Sequence, residues 1–302
     1  FVNAWNEWAE GAYIEPDKKY GYAYLEATKM ALTRSSLIYS RNLSKPLIKK
    51  PGKNKVAIII HAYYIDMFDE LIERIKKLDI SYKIFVTTTI DHKERVNSVL
   101  SELDCPYTVL IVKNHGRDVL PFLKIIKLVI KEKYQYFLKL HTKKSSHRKD
   151  GDIWRNDLYN KLVNSEKLKS IIKSCDTDKN IGMIGPSSHI VHMTTYLGSN
   201  ENRVKWYSER MGLSFSEVLE IPFVAGTMFF ARMESIIPLL SLAINEDEFE
   251  KENGQVDGTL AHAIERLFSI SAVSTGLRVI DTDNITNIEN KIYINDDYEF
   301  VD

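Results

Sequence analysis

The feature that most constrains the fold is an alternation of strand and helix patterns that starts at Val56 and runs to Leu140. Val56–Ile60 is a continuous apolar strand leading into His61-Ala62-Tyr63-Tyr64. Residues 66–78 follow as an amphipathic helix, with Met67, Leu71, Ile75 and Leu78 on one face. Tyr82–Thr88 is a second strand ending in a threonine triplet, and residues 92–103 form a second helix. Tyr107–Val112 is a third strand. The polar turn Asn114-His115-Gly116-Arg117-Asp118 then opens a helix over 119–131, with Pro121 in its first turn, where proline is tolerated. Tyr134–Leu140 is the fourth strand. Repeats of this length imply a mostly parallel sheet covered by helices on both faces, an α/β fold. Right-handed crossovers line up the strand ends along one edge. That edge gathers His61, Thr87 to Thr89, Asn114 to Asp118, and His141 to His147.

The fourth strand breaks into a dense polar run: His141, Thr142, Lys143, Lys144, Ser145, His147 and Arg148, closed by Trp154 and Arg155. Between Tyr134 and Arg155, cations at 139, 143, 144, 148, 149 and 155 face only Asp150 and Asp152, in a chain of formal net charge zero. The alternatives are a solvated basic loop and a site for an anionic ligand. Convergence of Lys, His, Ser and Arg directly after a strand favours the ligand, because α/β proteins bind outside the carboxyl ends of their strands.

The second half is less regular. Residues 154–175 read as one or two helices, and Ile181–Pro186 as a short strand and turn. Residues 188–212 form a loop over the site, with His189, His192, Trp206 and Tyr207. Phe223–Arg232 is a strand with a small-residue break where backbone can approach a ligand closely. A helix over 234–242 and an amphipathic helix over 259–268 follow, and the end from Asp281 is an edge strand or tail. Basic, proline-bearing residues 41–55 read as a linker between a unit at 1–40 and a domain at 56–302.

Balanced charge argues against a nucleic-acid binder. Cys105 and Cys175 form no metal-binding spacing and read as reduced thiols, which fits the cytosol. No apolar run of about 18 residues is present, and no signal peptide is expected. Because the chain opens mid-motif at Phe1 without an initiator Met, it is expected to be part of a longer polypeptide.

Two resemblances follow. Asn6-Glu7-Trp8-Ala9-Glu10-Gly11, with Ala12–Asp17 and the helix pattern from Gly21, resembles the C-terminal end of WbsX-like barrel proteins of polysaccharide clusters, which are related to endo-acting mannosidases. That resemblance makes Glu7 and Glu10 the motif glutamates. It covers one βα unit of a barrel, so a glycoside hydrolase site is not expected to close here. The blocks at 114–123, 138–148, 181–186, 225–232 and 254–268 resemble the rhamnan synthesis protein F family. This second resemblance implies a glycosyltransferase that adds rhamnose or a related sugar to cell-surface polysaccharide. It implies a nucleotide sugar, such as dTDP-rhamnose, as donor and a lipid-linked glycan as acceptor. The implied partners are other assembly enzymes and an upstream domain, and the implied location is the cytoplasm, peripheral to the inner face of the membrane.

The order of elements also resembles the GT-A plan, whose fourth strand ends in a metal-binding Asp-x-Asp. Here that position reads His141-Thr142-Lys143. A divalent cation wants oxygen ligands, so transfer without a metal is expected, with no further cofactor. Lys143, Lys144 and Arg148 would offset the diphosphate charge, and Arg148 or Arg155 would grip phosphate oxygens. Donor contacts are expected from His61, Asn114, Arg117, Asp118, His141, Thr142, Ser145 and His147. Trp154, Arg155, Gly226, Thr227 and Gln255 are expected on the acceptor side or in a lid. Asp257 is either the general base or the N-cap of the helix after it. Asp118 is either an N-cap or a ribose partner, and Arg117 reaches the ligand or pairs with Asp118 or Asp257. His262 reads as a packed helix residue, and Tyr63 and Tyr64 either stack on a base or pack in the core. A non-catalytic GT-A-like assembly module is the alternative to an enzyme.

Overall fold

The computed structural model describes residues 56–142 and 151–285, with Asn6, Glu7, Ala9, residues 12–17, Tyr22, Tyr24, Leu25, Ile294 and Asn295. Strands β1 (Val56–Ala62), β2 (Tyr82–Thr88), β3 (Tyr107–Ile111) and β4 (Tyr136–His141) alternate with helices α1 (Ile65–Ile75), α2 (Lys93–Ser101) and α3 (Val119–Lys131). The expected stretch at 154–175 is two helices, α4 (Gly151–Leu162) and α5 (Ser165–Thr177). Then come β5 (Ile181–Gly185), β6 (Ile190–Val191), α6 (Met193–Tyr196), α7 (Glu201–Arg210), α8 (Phe215–Leu219), β7 (Phe223–Val224) and β8 (Phe229–Arg232). Helices α9 (Ile237–Ser241) and α10 (Leu260–Ser274) precede β9 (Arg278–Asp281).

Seven strands form one sheet in the order β9-β5-β8-β4-β1-β2-β3. All neighbouring pairs are parallel except those of β8, which runs against both β4 and β5. Period-two alternation sorts the strand residues onto two cores. Ala57, Ile59, Phe85 and Phe137 face α3 and α10, whereas Val56, Ile58, Ile60, Ile84 and Leu138 face α1, α2, α4 and α5. Helix α10 is buried along nearly its whole length, so its apolar character extends around the helix rather than forming a stripe. It runs six residues past Phe268, where the amphipathic pattern ends, because the sheet and α7 cover it on opposite sides.

The single strand expected over 223–232 is two. Phe223–Val224 pairs with Ile190–Val191 in a separate small sheet, and Phe229–Arg232 joins the main one. Between them Gly226 and Thr227 both have positive φ, 81° and 53°. The edge strand β9 ends at Asp281, where the expected edge strand or tail begins, and most of that stretch lies outside the described residues. Near the N-terminus Asn6–Glu7 pairs antiparallel with Ala12–Tyr13, which places Glu7 on a short strand. Glu10 lies outside the described residues.

Candidate functional site

The chain adds β2 and β3 on one side of β1 and then crosses to lay β4 on the other. The strand order therefore reverses between β1 and β4, and open α/β sheets bind ligands in the crevice outside the carboxyl ends of their strands at such a point. His61 and His141 end these strands in register. Thr142 joins the two loops: its N–H donates to the His61 carbonyl at 3.0 Å, and its hydroxyl accepts from the Tyr63 and Tyr64 N–H groups at 2.9 Å each. His61 Nδ1 meets the Thr87 hydroxyl on β2 at 2.9 Å. Burial lowers His61 to about 4, with Lys139 adding to the effect and Asp118 opposing it, so the imidazole is neutral near pH 7.

Below the crevice lies a buried ion pair. Lys139, on β4 and 1% exposed, donates to Asp118 Oδ2 at 2.5 Å and to the Thr227 carbonyl at 2.9 Å. Its ammonium also lies 5.4 Å and 5.5 Å from the ring centres of Phe122 and Phe268. Asp118 occupies the N-cap position of α3, but its side chain makes no cap bond there. Instead it accepts from Lys139 and, at 2.6 Å, from the Thr227 hydroxyl, with His141 Nδ1 at 3.6 Å. Burial alone would raise Asp118, but Lys139, His141 and Thr227 hold it well below the usual carboxylate range. Burial lowers Lys139 from its ordinary value and Asp118 pulls it back. With two oxygen acceptors and two ring faces around the ammonium, the pair is ionic.

A buried lysine is not in itself a mark of function. Lys83, equally buried on β2, pairs with Glu132 at 2.7 Å at the opposite end of the sheet. Lys139 differs in that its partner Asp118 lies at the carboxyl edge, before α3, and in bonding a strained turn. Thr227, β-branched and left-handed, adopts a conformation that costs about 1–3 kcal/mol. Gly226 N–H donates to Glu265 Oε1 on α10 at 2.7 Å. A Cβ at Gly226 would lie 2.9 Å from the Trp154 ring, so α4 presses directly on this turn. Trp154 packs edge-on against His189, whose Nε2 meets Asp157 at 2.8 Å.

The other expected residues are placed as follows. Asn114 donates to the Tyr63 hydroxyl at 3.1 Å, joining the ends of β1 and β3. Arg117 pairs with Glu252 and the Gln255 carbonyl rather than with Asp118 or Asp257. Together Gly116, Arg117, Glu252, Gln255 and Thr259 line a small cleft at the start of α3. Arg155 is buried and turned toward Glu70 of α1, at 3.5 Å. The N-cap of α10 is Thr259, in a capping box with His262, and not Asp257. Thr259 lies next to the first helical residue, and His262 Nδ1 accepts from its N–H at 3.2 Å. Asp257 accepts from Ser199 N–H at 2.9 Å and Asn200 Nδ2 at 2.7 Å. Burial would raise Asp257, but these bonds prevail and lower it. Lys143, Lys144, Ser145, His147 and Arg148 lie outside the described residues.

Sequence reasoning assigned no site role to Lys139, Glu265 or the His189–Asp157 pair. The available signal was a charge inside an apolar pattern: Lys139 within YFLKLH, and Glu265 within LAHAIERLF.

The family model for rhamnan synthesis protein F matches residues 23–276, and that for glycosyltransferase WbsX matches residues 1–28. Two proteins named WxcX and described as uncharacterized, from Xanthomonas campestris pv. campestris strains B100 and ATCC 33913, are each 36% identical over 288 residues. These alignments cover 95% of this chain but 40% of each relative, so the chain spans less than half their length. The chain belongs to the rhamnan synthesis protein F family.

Proposed function

We propose that this chain is a glycosyltransferase domain that moves a sugar from a nucleotide-diphosphate donor to a growing cell-surface polysaccharide, such as an O-antigen, capsule or rhamnan. The observation that carries the reading is the shared carboxyl edge of β1 and β4. There His61 and His141 stand side by side, and the chain continues from Thr142 into the basic run Lys143-Lys144-Ser145-Ser146-His147-Arg148. Among the described residues, a sheet whose one antiparallel strand follows five parallel ones supports the GT-A-like reading. The family supports rhamnose or another deoxysugar, carried on a nucleotide such as dTDP.

In this reading His61, Asn114, Thr142 and Arg117 face the nucleoside end, and Lys143, Lys144, Ser145, His147 and Arg148 hold the diphosphate. The acceptor hydroxyl attacks the anomeric carbon, and the carbon–oxygen bond to the diphosphate breaks with inversion. The leaving nucleotide takes the electron pair, and Asp257 takes the hydroxyl proton. Cationic side chains stabilise the departing phosphate without a metal ion. In support, the Asp118 carboxylate is already neutralised by Lys139. Trp154, Gly226, Thr227 and Gln255 border the acceptor. The acceptor is a lipid-linked glycan at the cytoplasmic membrane face, reached with other assembly enzymes and an upstream domain. Among the described residues no helix is long and apolar enough to cross a membrane.

A non-catalytic glycan-binding module is the second reading, favoured by one observation: both Asp257 oxygens are occupied by Ser199 and Asn200. Calorimetric titration with dTDP and UDP tests the donor site. Lys143→Ala and Arg148→Ala are each expected to weaken binding about tenfold or more, the loss of one charge-assisted contact. Undiminished binding in both variants would sink the phosphate clamp. Nucleotide binding without turnover of any nucleotide sugar would favour the second reading.

A further inference from the structure

We infer that the buried Asp118–Lys139 pair is a positioning device that fixes the left-handed Gly226–Thr227 turn at the mouth of the crevice, where the turn borders the acceptor and orients it against the sugar end of the donor. The inference rests on the transferase reading for what the turn does, but not for what holds it. Four elements converge on these two residues. From β4, Lys139 binds the Thr227 carbonyl at 2.9 Å, and from α3, Asp118 binds the Thr227 hydroxyl at 2.6 Å. From α10, Glu265 accepts the Gly226 N–H at 2.7 Å, and from α4, the Trp154 ring leaves no room for a Cβ on Gly226.

A buried ion pair is a poor stabiliser compared with apolar side chains of the same volume. A β-branched residue with positive φ is unfavourable as well. Both occur together, bonded to each other, at the carboxyl edge beside His141, and strained backbone concentrates at functional sites. Lys83 and Glu132 provide the internal contrast. Their pair satisfies a buried lysine at the far end of the sheet; Lys133, next to Glu132, also has positive φ, but neither side chain of the pair is bonded to it as Lys139 and Asp118 are to Thr227. Because β8 runs antiparallel, its leading residues lie where the parallel strands end, so the turn is carried to the crevice by topology. Lys139 and Asp118 touch no substrate in this scheme; they act through Thr227.

The test compares wild type with the charge-free double variant Asp118→Asn/Lys139→Met, using two readouts. Hydrogen exchange reads the turn directly: amides of residues 225–228 are expected to exchange at least tenfold faster in the variant, with the sheet amides of β1 and β4 unchanged. Steady-state hydrolysis of dTDP-rhamnose reads the consequence: kcat is expected to fall at least tenfold with KM within threefold. Unchanged exchange at 225–228 overturns the inference, as does a released turn with wild-type kcat. If wild type turns over no nucleotide sugar, the transferase reading fails, and exchange alone decides whether the pair holds the turn. Should the double variant not fold, Thr227→Val and Thr227→Ser serve instead. Val removes the hydroxyl that Asp118 binds and Ser keeps it, so Ser is expected to exceed Val in kcat at least fivefold. Equal values for the two would contradict a positioning role.

Discussion

At position 61 an imidazole ends a fully buried strand with its Nδ1 on the Thr87 hydroxyl. Burial places its folded value at about 4, below the ordinary 6.5. Above pH 6.5 the native and unfolded chains are both neutral there. Between 6.5 and about 4 only the unfolded chain takes up the proton, so stability is complete above the ordinary value and is lost as pH falls toward 4. The interval corresponds to about 3 kcal/mol. Chemical denaturation at about pH 7 and about pH 4.5 checks this. His61→Gln is expected to lose less stability across that range than wild type, by about 2 kcal/mol. An identical loss in both proteins would show that His61 is protonated in the fold. His262 is lowered in the same way, with burial first and Arg117 next, and its acceptor role in the Thr259 capping box requires an unprotonated Nδ1.

Among elements, α7 and α10 are tied together by Asp257. Its carboxylate holds Ser199 and Asn200 just before α7 begins, while Arg203 of α7 reaches the Gly258 carbonyl at 3.2 Å. Asp257→Ala is expected to cost about 1–2 kcal/mol, as for the loss of an N-terminal cap. Asp257→Asn separates this tie from proton transfer. If Asp257 is the base, transfer is lost while dTDP binding stays and the melting temperature changes by only a few degrees. A fully active Asn variant would leave Asp257 as a tie alone. Local rules read Asp257-Gly258-Thr259 as a cap, and a cap is present, but it is Thr259, with His262 closing the box. Asp257 bonds residues 57 and 58 positions away, which no local pattern reveals. The same holds at Lys139. Its charge was visible within an apolar strand, whereas its partners lie 21 and 88 positions away. By contrast β2 and α3 match the bounds read from sequence, because period-two and helical patterns are properties of neighbouring residues.

Across the whole molecule, the N-terminal WbsX-type match contacts the main domain through Tyr22. Tyr22 N–H donates to the Arg210 carbonyl at 2.6 Å. The Arg210 guanidinium lies 5.2 Å from the Tyr22 ring centre and 4.5 Å from that of Trp206. Stacking of this kind at a surface contributes about 0.5–1 kcal/mol. Arg210→Ala is therefore expected to leave the melting temperature of the domain nearly unchanged while exchange at Tyr22 accelerates severalfold. Unaltered exchange at Tyr22 would mean that the backbone bond alone holds the segment. The alternation from Val56 onward foretold the parallel half of the sheet. The antiparallel β8 was not foretold, because its direction depends on the two-residue break at Gly226–Thr227.

That reversed strand also affects how the family can diversify. Strands β1, β2 and β3 each lead through a carboxyl-end loop into a helix. The 225–228 segment instead joins a small two-strand sheet to β8, and on the far side Arg232 is fastened to Cys175 and Ile181 carbonyls. Residues inserted between Ala225 and Met228 would therefore break the contacts of Lys139, Asp118 and Glu265 with the turn while the pairing of Phe229–Arg232 with β4 kept its register. The chain carries a pinned rim on a fixed frame, and a change in the length of the rim would loosen the turn without refolding the sheet.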